Sequence, residues 1–139
     1  MATLIPNYTT AQIAVLSTAQ IAGLTTEDWA AFSTAQFQAL TTAQVAAIRS
    51  AQVPGLTTSS LGAIETADLA GMGTAQIAAL PAASLAALTS AQIQALSAAQ
   101  AAALNSLQVP ALTTAQMAAL EVADLAAMST TQVRWLGDA

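Results

Sequence analysis

The residues in this chain best suited to chemistry are acidic. They form three close pairs: Glu27 with Asp28, Glu65 with Asp68, and Glu121 with Asp124. Two carboxylates that face one substrate can hydrolyse a glycosidic bond, and carboxylate oxygens can also hold calcium. Carboxylates are equally stabilised by the free amides at a helix start. Because all six fall in the first turn of predicted helices, without a glycine-rich calcium loop, we interpret them as helix-start residues.

Other side chains that support catalysis or metal binding are missing from the sequence, which has no histidine, cysteine or lysine. A serine nucleophile needs a neighbouring base, and structural zinc needs cysteine or histidine. We therefore predict no catalytic, cofactor-binding or metal-binding residue, no small-molecule substrate and no enzymatic activity. The net charge is −5, and Arg49 and Arg134 are the only basic residues. Two arginines are too few to neutralise a nucleic-acid backbone, so we expect no nucleic-acid partner.

The remaining polar residues follow a repeat of eight residues. Sixteen octads run without a gap from Tyr8 to Trp135, with the consensus LTTAQIAA. The first and sixth positions are large and apolar, apart from Ala101, and the fifth is Gln, Asp or Ser. The fourth, seventh and eighth positions are mostly Ala or Gly. A fixed short period of this kind is typical of solenoids.

A short helix in each octad explains this pattern better than one long element. On a continuous α-helix the apolar positions would drift by about 80° per octad, and on a strand they would fall on opposite faces. A second-position hydroxyl followed three residues later by Gln forms a capping box, as in Thr41 and Gln44. The hydroxyl at the third position leaves open a cap one residue later in some octads.

The predicted fold is therefore an all-α solenoid of very short helices, one in each of the sixteen octads. Such helices are unstable alone, so they must stack. We expect the small residues at positions four, seven and eight to allow close approach of neighbouring helices. Ala43→Leu or Ala99→Leu should then cost about 1–3 kcal/mol. Pro54 and Pro110 fall late in their helices, where the lost amide bond costs little.

We divide the chain into an N-terminal cap segment (1–7), the octapeptide solenoid (8–135) and a C-terminal tail (136–139). Trp135 replaces the usual alanine, and we expect it to cover the last layer, with Leu4 to Pro6 doing the same at the start of a self-contained domain. Residues 53–80 match residues 109–136, seven octads later, at 15 of 28 positions. Either a block duplication or a recurring superhelical position explains this match.

Two polar columns are candidates for binding. The glutamine column, from Gln12 to Gln132, is explained by local capping or by a ladder that binds a repetitive ligand. The hydroxyl columns at positions two and three could order water on an ice or carbohydrate lattice. Ala82, Ala98 and Val122 interrupt the third-position column, whereas a lattice-matching face should be stricter.

The strings TTAQIA, LTTAQVAAI and LTTAQMAAL resemble the tandem LTTAQ-type octapeptide arrays of large proteobacterial proteins. The resemblance covers residues 8–136 and implies a structural or interaction role, in a secreted or cell-surface setting. Residues 1–7 lack the pattern of a signal peptide, and no apolar run is long enough for a membrane span. We therefore predict a non-enzymatic solenoid that acts as a rigid spacer or protein-binding scaffold, with self-association as one mode. The alternative is an ice- or carbohydrate-lattice-binding protein.

Overall fold

The computed structural model describes residues 3–137, and this part of the chain is helical without any strand. Residues 1, 2, 138 and 139, which belong to the expected cap segment and tail, lie outside the described residues. The α-helices are α1 (Thr10–Ala14), α2 (Thr18–Gly23), α3 (Thr26–Ala30), α4 (Thr34–Gln38), α5 (Thr42–Ala46), α6 (Thr58–Gly62), α7 (Thr66–Gly71), α8 (Thr74–Ala78), α9 (Ala82–Ala86), α10 (Ser90–Gln94), α11 (Ala98–Ala102), α12 (Thr114–Ala119), α13 (Val122–Ala127) and α14 (Thr130–Gly137). Three 3-10 helices span Ile5–Asn7, Val53–Gly55 and Val109–Ala111.

Each α-helix begins directly after the second position of its octad, as the capping pattern predicts. In α5, the Gln44 amide donates to the Thr41 hydroxyl at 3.2 Å, and the Thr41 amide donates to Gln44 Oε1 at 2.7 Å. The same reciprocal pair occurs where Ser replaces Thr, as in Ser97 and Gln100. The alternative of a cap one residue later is wrong, because third-position residues are already the first residues of their helices.

Two of the sixteen octads depart from the prediction of one α-helix each. They contain the 3-10 helices Val53–Gly55 and Val109–Ala111, each with proline as its second residue. Proline has no amide hydrogen, so it cannot donate the bond to the fourth preceding carbonyl that would close an α-helical turn. Pro6 has the same place in Ile5–Asn7. The missing hydrogen bond therefore leaves a 3-10 helix in place of an α-helix, which is more than the small cost expected for a proline late in a helix.

The core consists of the first- and sixth-position side chains. Sixth-position residues from Ile13 to Val109 are at most 2% exposed, and the smallest of them, Ala101, is fully buried. Eighth-position alanines such as Ala39 are half-buried against this core. Ala43 and Ala99 at the fourth position are exposed, so the prediction that they pack between helices is wrong. Fourth-position side chains lie on the outer side of each helix.

The chain winds into a superhelix in which each helix packs against the one three octads further along. Examples are α2 on α5, α5 on α7, and α8 on α11. Side-chain bonds to the preceding turn span 28 to 31 residues, so one turn contains between three and four octads. Two spans of 28 residues equal the seven-octad distance between Val53 and Val109. Both a block duplication and a recurring superhelical position are compatible with this distance.

The two ends of the described chain continue the same architecture. Ile5 is buried, and its carbonyl accepts from Gln36, as the Ile13 carbonyl accepts from Gln44. The repeat therefore extends back before Tyr8. At the other end, α14 continues past Trp135 to Gly137, and Trp135 packs partly buried against the core.

Candidate functional site

The most regular polar feature of the molecule is a column of nine buried fifth-position glutamines, which we call the glutamine ladder. Its members are Gln36, Gln44, Gln52, Gln76, Gln92, Gln100, Gln108, Gln116 and Gln132. Gln100 is 2% exposed, and its Oε1 accepts from the Ser97 amide at 2.7 Å. Its Nε2 donates to the carbonyls of Leu69 at 2.9 Å and Met72 at 2.7 Å, both on the preceding turn. One side chain therefore caps its own helix and binds the turn before it.

The ladder repeats these partners with little variation. Gln116 donates to the Leu85 and Leu88 carbonyls, and Gln76 donates to those of Val45 and Ile48. A buried amide needs all its hydrogen bonds satisfied, because an unpaired one costs about 1–3 kcal/mol. Local capping is thus a correct but incomplete explanation. The hypothesis of a ligand-binding ladder is wrong for these nine side chains, since they are buried and already paired.

Four buried residues interrupt the ladder: Ser60, Asp68, Ser84 and Asp124. None carries an amide donor. Asp68 accepts a hydrogen bond from the Thr42 hydroxyl on the preceding turn at 2.6 Å, and the Ser60 hydroxyl accepts from Thr57 at 2.9 Å. Asp124 accepts from the Glu121 amide at 3.1 Å. At these four octads, adjacent turns are therefore held together mainly by apolar packing, with fewer hydrogen bonds between them.

The three acidic pairs are not brought together into one site. They lie in separate octads, and in each pair the glutamate is exposed while the aspartate is half-buried or buried. Glu65 and Glu121 are the N-cap residues of α7 and α13, so the prediction that all six lie in a first turn is wrong for these two. Among residues 3–137, no group of three or more acidic, histidine or cysteine side chains could hold a metal ion.

The fold alters the ionisation of Asp28. A hydrogen bond from the Thr3 side chain, followed by one from the Thr25 amide, lowers the pKa of Asp28 below its usual value of 3.8. The Thr25 amide and hydroxyl both lie 2.8 Å from Asp28 Oδ2. These bonds favour the ionised form, as expected for a carboxylate that caps a helix.

The two hydroxyl columns have different surroundings. Second-position hydroxyls accept from backbone amides, as the Thr9 hydroxyl does from Gln12 at 3.2 Å. Third-position side chains such as Thr10, Thr18 and Thr34 are exposed. The second-position hydroxyls are therefore used to cap helices, whereas the third-position hydroxyls face solvent.

The comparisons with known proteins agree with the repeat architecture. A family model described as the ALTTAQ repeat matches residues 24–58, 61–98 and 79–114, which together make up well over half of the chain. This chain belongs to the ALTTAQ repeat family. No curated protein and no solved structure matches it.

The first turn of this ALTTAQ repeat protein differs from the later ones. Its core holds an aromatic cluster in which Trp29 stacks on Phe32 at 4.8 Å and meets Phe37 edge-on at 6.3 Å. Trp29 Nε1 is buried without a hydrogen-bond partner among the described residues. A cleft of about 310 Å³ lies between residues 3–8 and residues 24–28. These three aromatic side chains are buried in the core near the start of the solenoid.

The surface of the ALTTAQ array is weakly charged along its length. Arg49 and Arg134 are both exposed, and they lie in octads ten apart. Large exposed apolar side chains include Val15, Leu107 and Val122. No helix within residues 3–137 combines the length and the apolar character that crossing a membrane would need.

The bonds from the fifth-position glutamines to the preceding turn were not predicted from the sequence. A signal for them is present, because none of the sixteen octads carries Glu at this position. A capping box accepts Glu as readily as Gln, and the helix dipole favours Glu near a helix start. The preference for Gln over Glu, which has the same length, indicates that an amide donor is needed there.

Proposed function

We propose that this ALTTAQ repeat chain is a non-enzymatic structural protein, a rigid spacer or scaffold whose partners are other proteins or further copies of itself. The observation that carries this proposal is the glutamine ladder. It fixes each turn to the preceding one through two carbonyls 28 and 31 residues earlier, from Gln36 to Gln132. An array in which every repeat binds its neighbours extends by adding repeats without changing its cross-section.

The small size and low charge of the exposed side chains also favour a structural role. Positions two, three, four and seven supply most of the exposed side chains, and these are mainly Thr, Ser and Ala. Surfaces with few charges and small side chains resist association less than charged ones do. A protein partner therefore suits this surface better than a polyanion.

An insertion series tests the spacer role. A second copy of residues 53–108, which is seven octads, is inserted after residue 108 so that the repeat register is kept. We expect small-angle scattering to show a longer particle of unchanged cross-section, and urea unfolding to show greater stability. The matched control inserts residues 53–104, six and a half octads, which places every later glutamine half a repeat out of register.

The control insertion should destabilise the region after the junction. The proposal is overturned if both insertions lengthen the particle equally, or if the seven-octad insertion gives a compact particle of unchanged length. Either result would mean that turns are not added in register.

Binding to an ice or carbohydrate lattice is the alternative function, and the exposed threonines at the third position favour it. It rests on one column only, because the second-position hydroxyls are occupied by capping. Inhibition of ice recrystallisation that disappears on Thr18→Lys and Thr34→Lys would support it. Inactivity of the parent chain on ice and on insoluble polysaccharide would remove it.

A further inference from the structure

The bonds that the glutamine ladder makes between turns are unevenly distributed along the solenoid. We call one ladder glutamine with its carbonyl partners on the preceding turn a rung. The octads of residues 32–55 carry three consecutive rungs, and those of residues 88–119 carry four. In the four octads of residues 56–87, Gln76 forms one rung, and the other fifth positions hold shorter side chains: Ser60, Asp68 and Ser84. The turn made by these octads is therefore tied to the preceding turn by one rung.

Four carbonyls opposite the missing rungs are left without a side-chain donor. A ladder glutamine reaches the carbonyls 31 and 28 residues before it, as Gln100 does at Leu69 and Met72. At this spacing, glutamines at positions 60 and 68 would reach the carbonyls of Trp29, Phe32, Phe37 and Leu40. Within residues 3–137, no side chain donates a hydrogen bond to any of these four carbonyls. Two consecutive rungs are therefore missing at one place between turns.

Few other hydrogen bonds cross from residues 3–55 to residues 56–137. Apart from bonds between chain neighbours, they are those from Gln76 to carbonyls of residues 45–48, and the 2.6 Å bond from the Thr42 hydroxyl to Asp68. In addition, α4 packs on α6 and α5 packs on α7 across this junction. Apolar packing is non-directional, so it fixes the relative position of two turns less strictly than hydrogen bonds do.

Trp29 adds a second weakness at the same place. Its side chain is fully buried and stacks on Phe32, and its Nε1 has no hydrogen-bond partner among the described residues. A buried N–H group without an acceptor is destabilising, and it regains a hydrogen bond when water reaches it. The Trp29 carbonyl is one of the four that face the missing rungs. Separation of the turns at this place would therefore relieve the cost of the unpaired indole.

We infer that the solenoid consists of two blocks, residues 3–55 and residues 56–137, which meet at a weak joint and unfold independently of each other. Inside each block the turns are held by consecutive rungs, whereas the joint has one. In repeat arrays, the strength of each interface decides whether neighbouring units unfold together. The inference rests on the proposed spacer function and deepens it, because the joint is the place at which the rod bends or opens under load.

The two tryptophans provide the test, because Trp29 lies in the first block and Trp135 in the second. Trp135→Phe leaves a reporter of the first block, and Trp29→Phe leaves a reporter of the second. We expect urea unfolding, followed by tryptophan fluorescence, to give a different midpoint for each reporter. Hydrogen exchange of the unaltered chain in increasing urea, read by mass spectrometry, should divide the amides into the same two groups. This second measurement needs no substitution, so it decides the question even where a variant fails to fold.

Ser60→Gln with Asp68→Gln, made in both reporter chains, restores the two missing rungs. We expect the midpoints to coincide, because each rung should lower the population of the opened joint about 10- to 100-fold through its two hydrogen bonds. The matched control is Ser60→Glu with Asp68→Glu, which has the same side-chain length and the capping oxygens but no donors. Its midpoints should stay apart.

A second control, Asp124→Gln, restores a rung inside the second block. At the ladder spacing its amide would reach the carbonyls of Ile93 and Leu96, which both belong to that block. We expect this variant to move the Trp135 midpoint and to leave the Trp29 midpoint where it is. A shift of both midpoints by the same amount would mean that the two blocks are already coupled.

Three other results would overturn the inference: equal midpoints with one exchange group in the unaltered chain, midpoints that stay apart after both rungs are restored, or midpoints that coincide in the glutamate control as well. Circular dichroism shows whether each variant is folded. Equal midpoints combined with register-dependent lengthening in the insertion series would remove the joint and leave the spacer. Separate midpoints without that lengthening would remove the spacer and leave two blocks that unfold independently.

Discussion

Gln100→Glu separates the two roles of a ladder residue, because glutamate keeps the capping oxygen and replaces only the amide donor. The variant loses two hydrogen bonds, to the carbonyls of Leu69 and Met72. Each is worth about 1 kcal/mol net, and a buried carboxylate facing two carbonyl oxygens adds about 1–3 kcal/mol. We therefore expect a loss of about 3–5 kcal/mol at neutral pH, measured by urea unfolding with far-ultraviolet circular dichroism.

The cost of Gln100→Glu should depend on pH. Repulsion from the two carbonyls and burial both raise the pKa of the new carboxyl in the folded state above its unfolded value of about 4.3. The protonated form can donate one hydrogen bond, so stability is least reduced below pH ~4. It then falls as pH rises and levels off above the folded pKa. Unfolding curves at intervals between pH 4 and pH 8 measure this slope.

Gln20→Glu is the matched control, since Gln20 has the same octad position and the same capping bond, but it is exposed and its Nε2 donates to no residue in 3–137. At low protein concentration its stability should stay within about 0.5 kcal/mol of the parent, because the residue is exposed. Equal losses for the two variants, or a loss at Gln100 that is the same at every pH, would refute the two-role explanation of the ladder.

Three further changes test the packing and the electrostatics. Gly55→Ala should cost about 1–3 kcal/mol, because its Cβ would lie 2.6 Å from a backbone oxygen one turn away. Gly62 is the last residue of α6, and a Cβ there would meet nothing within 4 Å. Gly62→Ala should therefore gain about 0.4–1 kcal/mol, and urea midpoints compare the two variants. Ala99→Leu should change stability by less than about 0.5 kcal/mol, since the side chain is exposed; a loss of 1–3 kcal/mol would restore the original packing prediction. Asp28 has a lowered pKa, so its contribution to stability is present above its unfolded pKa and is lost as pH falls through the folded value. Asp28→Asn should therefore flatten the dependence of the melting temperature on pH between pH 2 and pH 5, and an unchanged slope would contradict this.

The features predicted correctly from the sequence depend on residues close together in the chain. A capping box joins residues three apart, so Thr41 and Gln44 fix the start of α5 whatever surrounds it. The apolar first and sixth positions then have to face inward together. The superhelical turn is different, because it depends on how helices three octads apart fit against one another. No local rule specifies that a turn contains between three and four octads.

The wrong prediction about Ala43 and Ala99 has a related cause. Small size was interpreted as a requirement for close packing, but both side chains are exposed on the first turn of a helix. Alanine has the highest helix propensity, and helices of five or six residues depend strongly on it. Small residues do matter at the eighth position, where a Cβ on Gly71 would lie 2.9 Å from Thr42 Cγ2. Composition alone does not separate these two reasons for a small residue.

The aspartates found at some fifth positions support the same explanation of the ladder. Asp28, Asp68 and Asp124 occur there, whereas glutamate does not. Aspartate is one methylene shorter, and its carboxylate pairs with groups other than the two ladder carbonyls: Asp68 with the Thr42 hydroxyl, Asp124 with its own cap amide. Glutamate has the length of glutamine and would press a charge against those carbonyls. An array with glutamate at every fifth position should therefore keep its helix starts and lose the bonds between its turns.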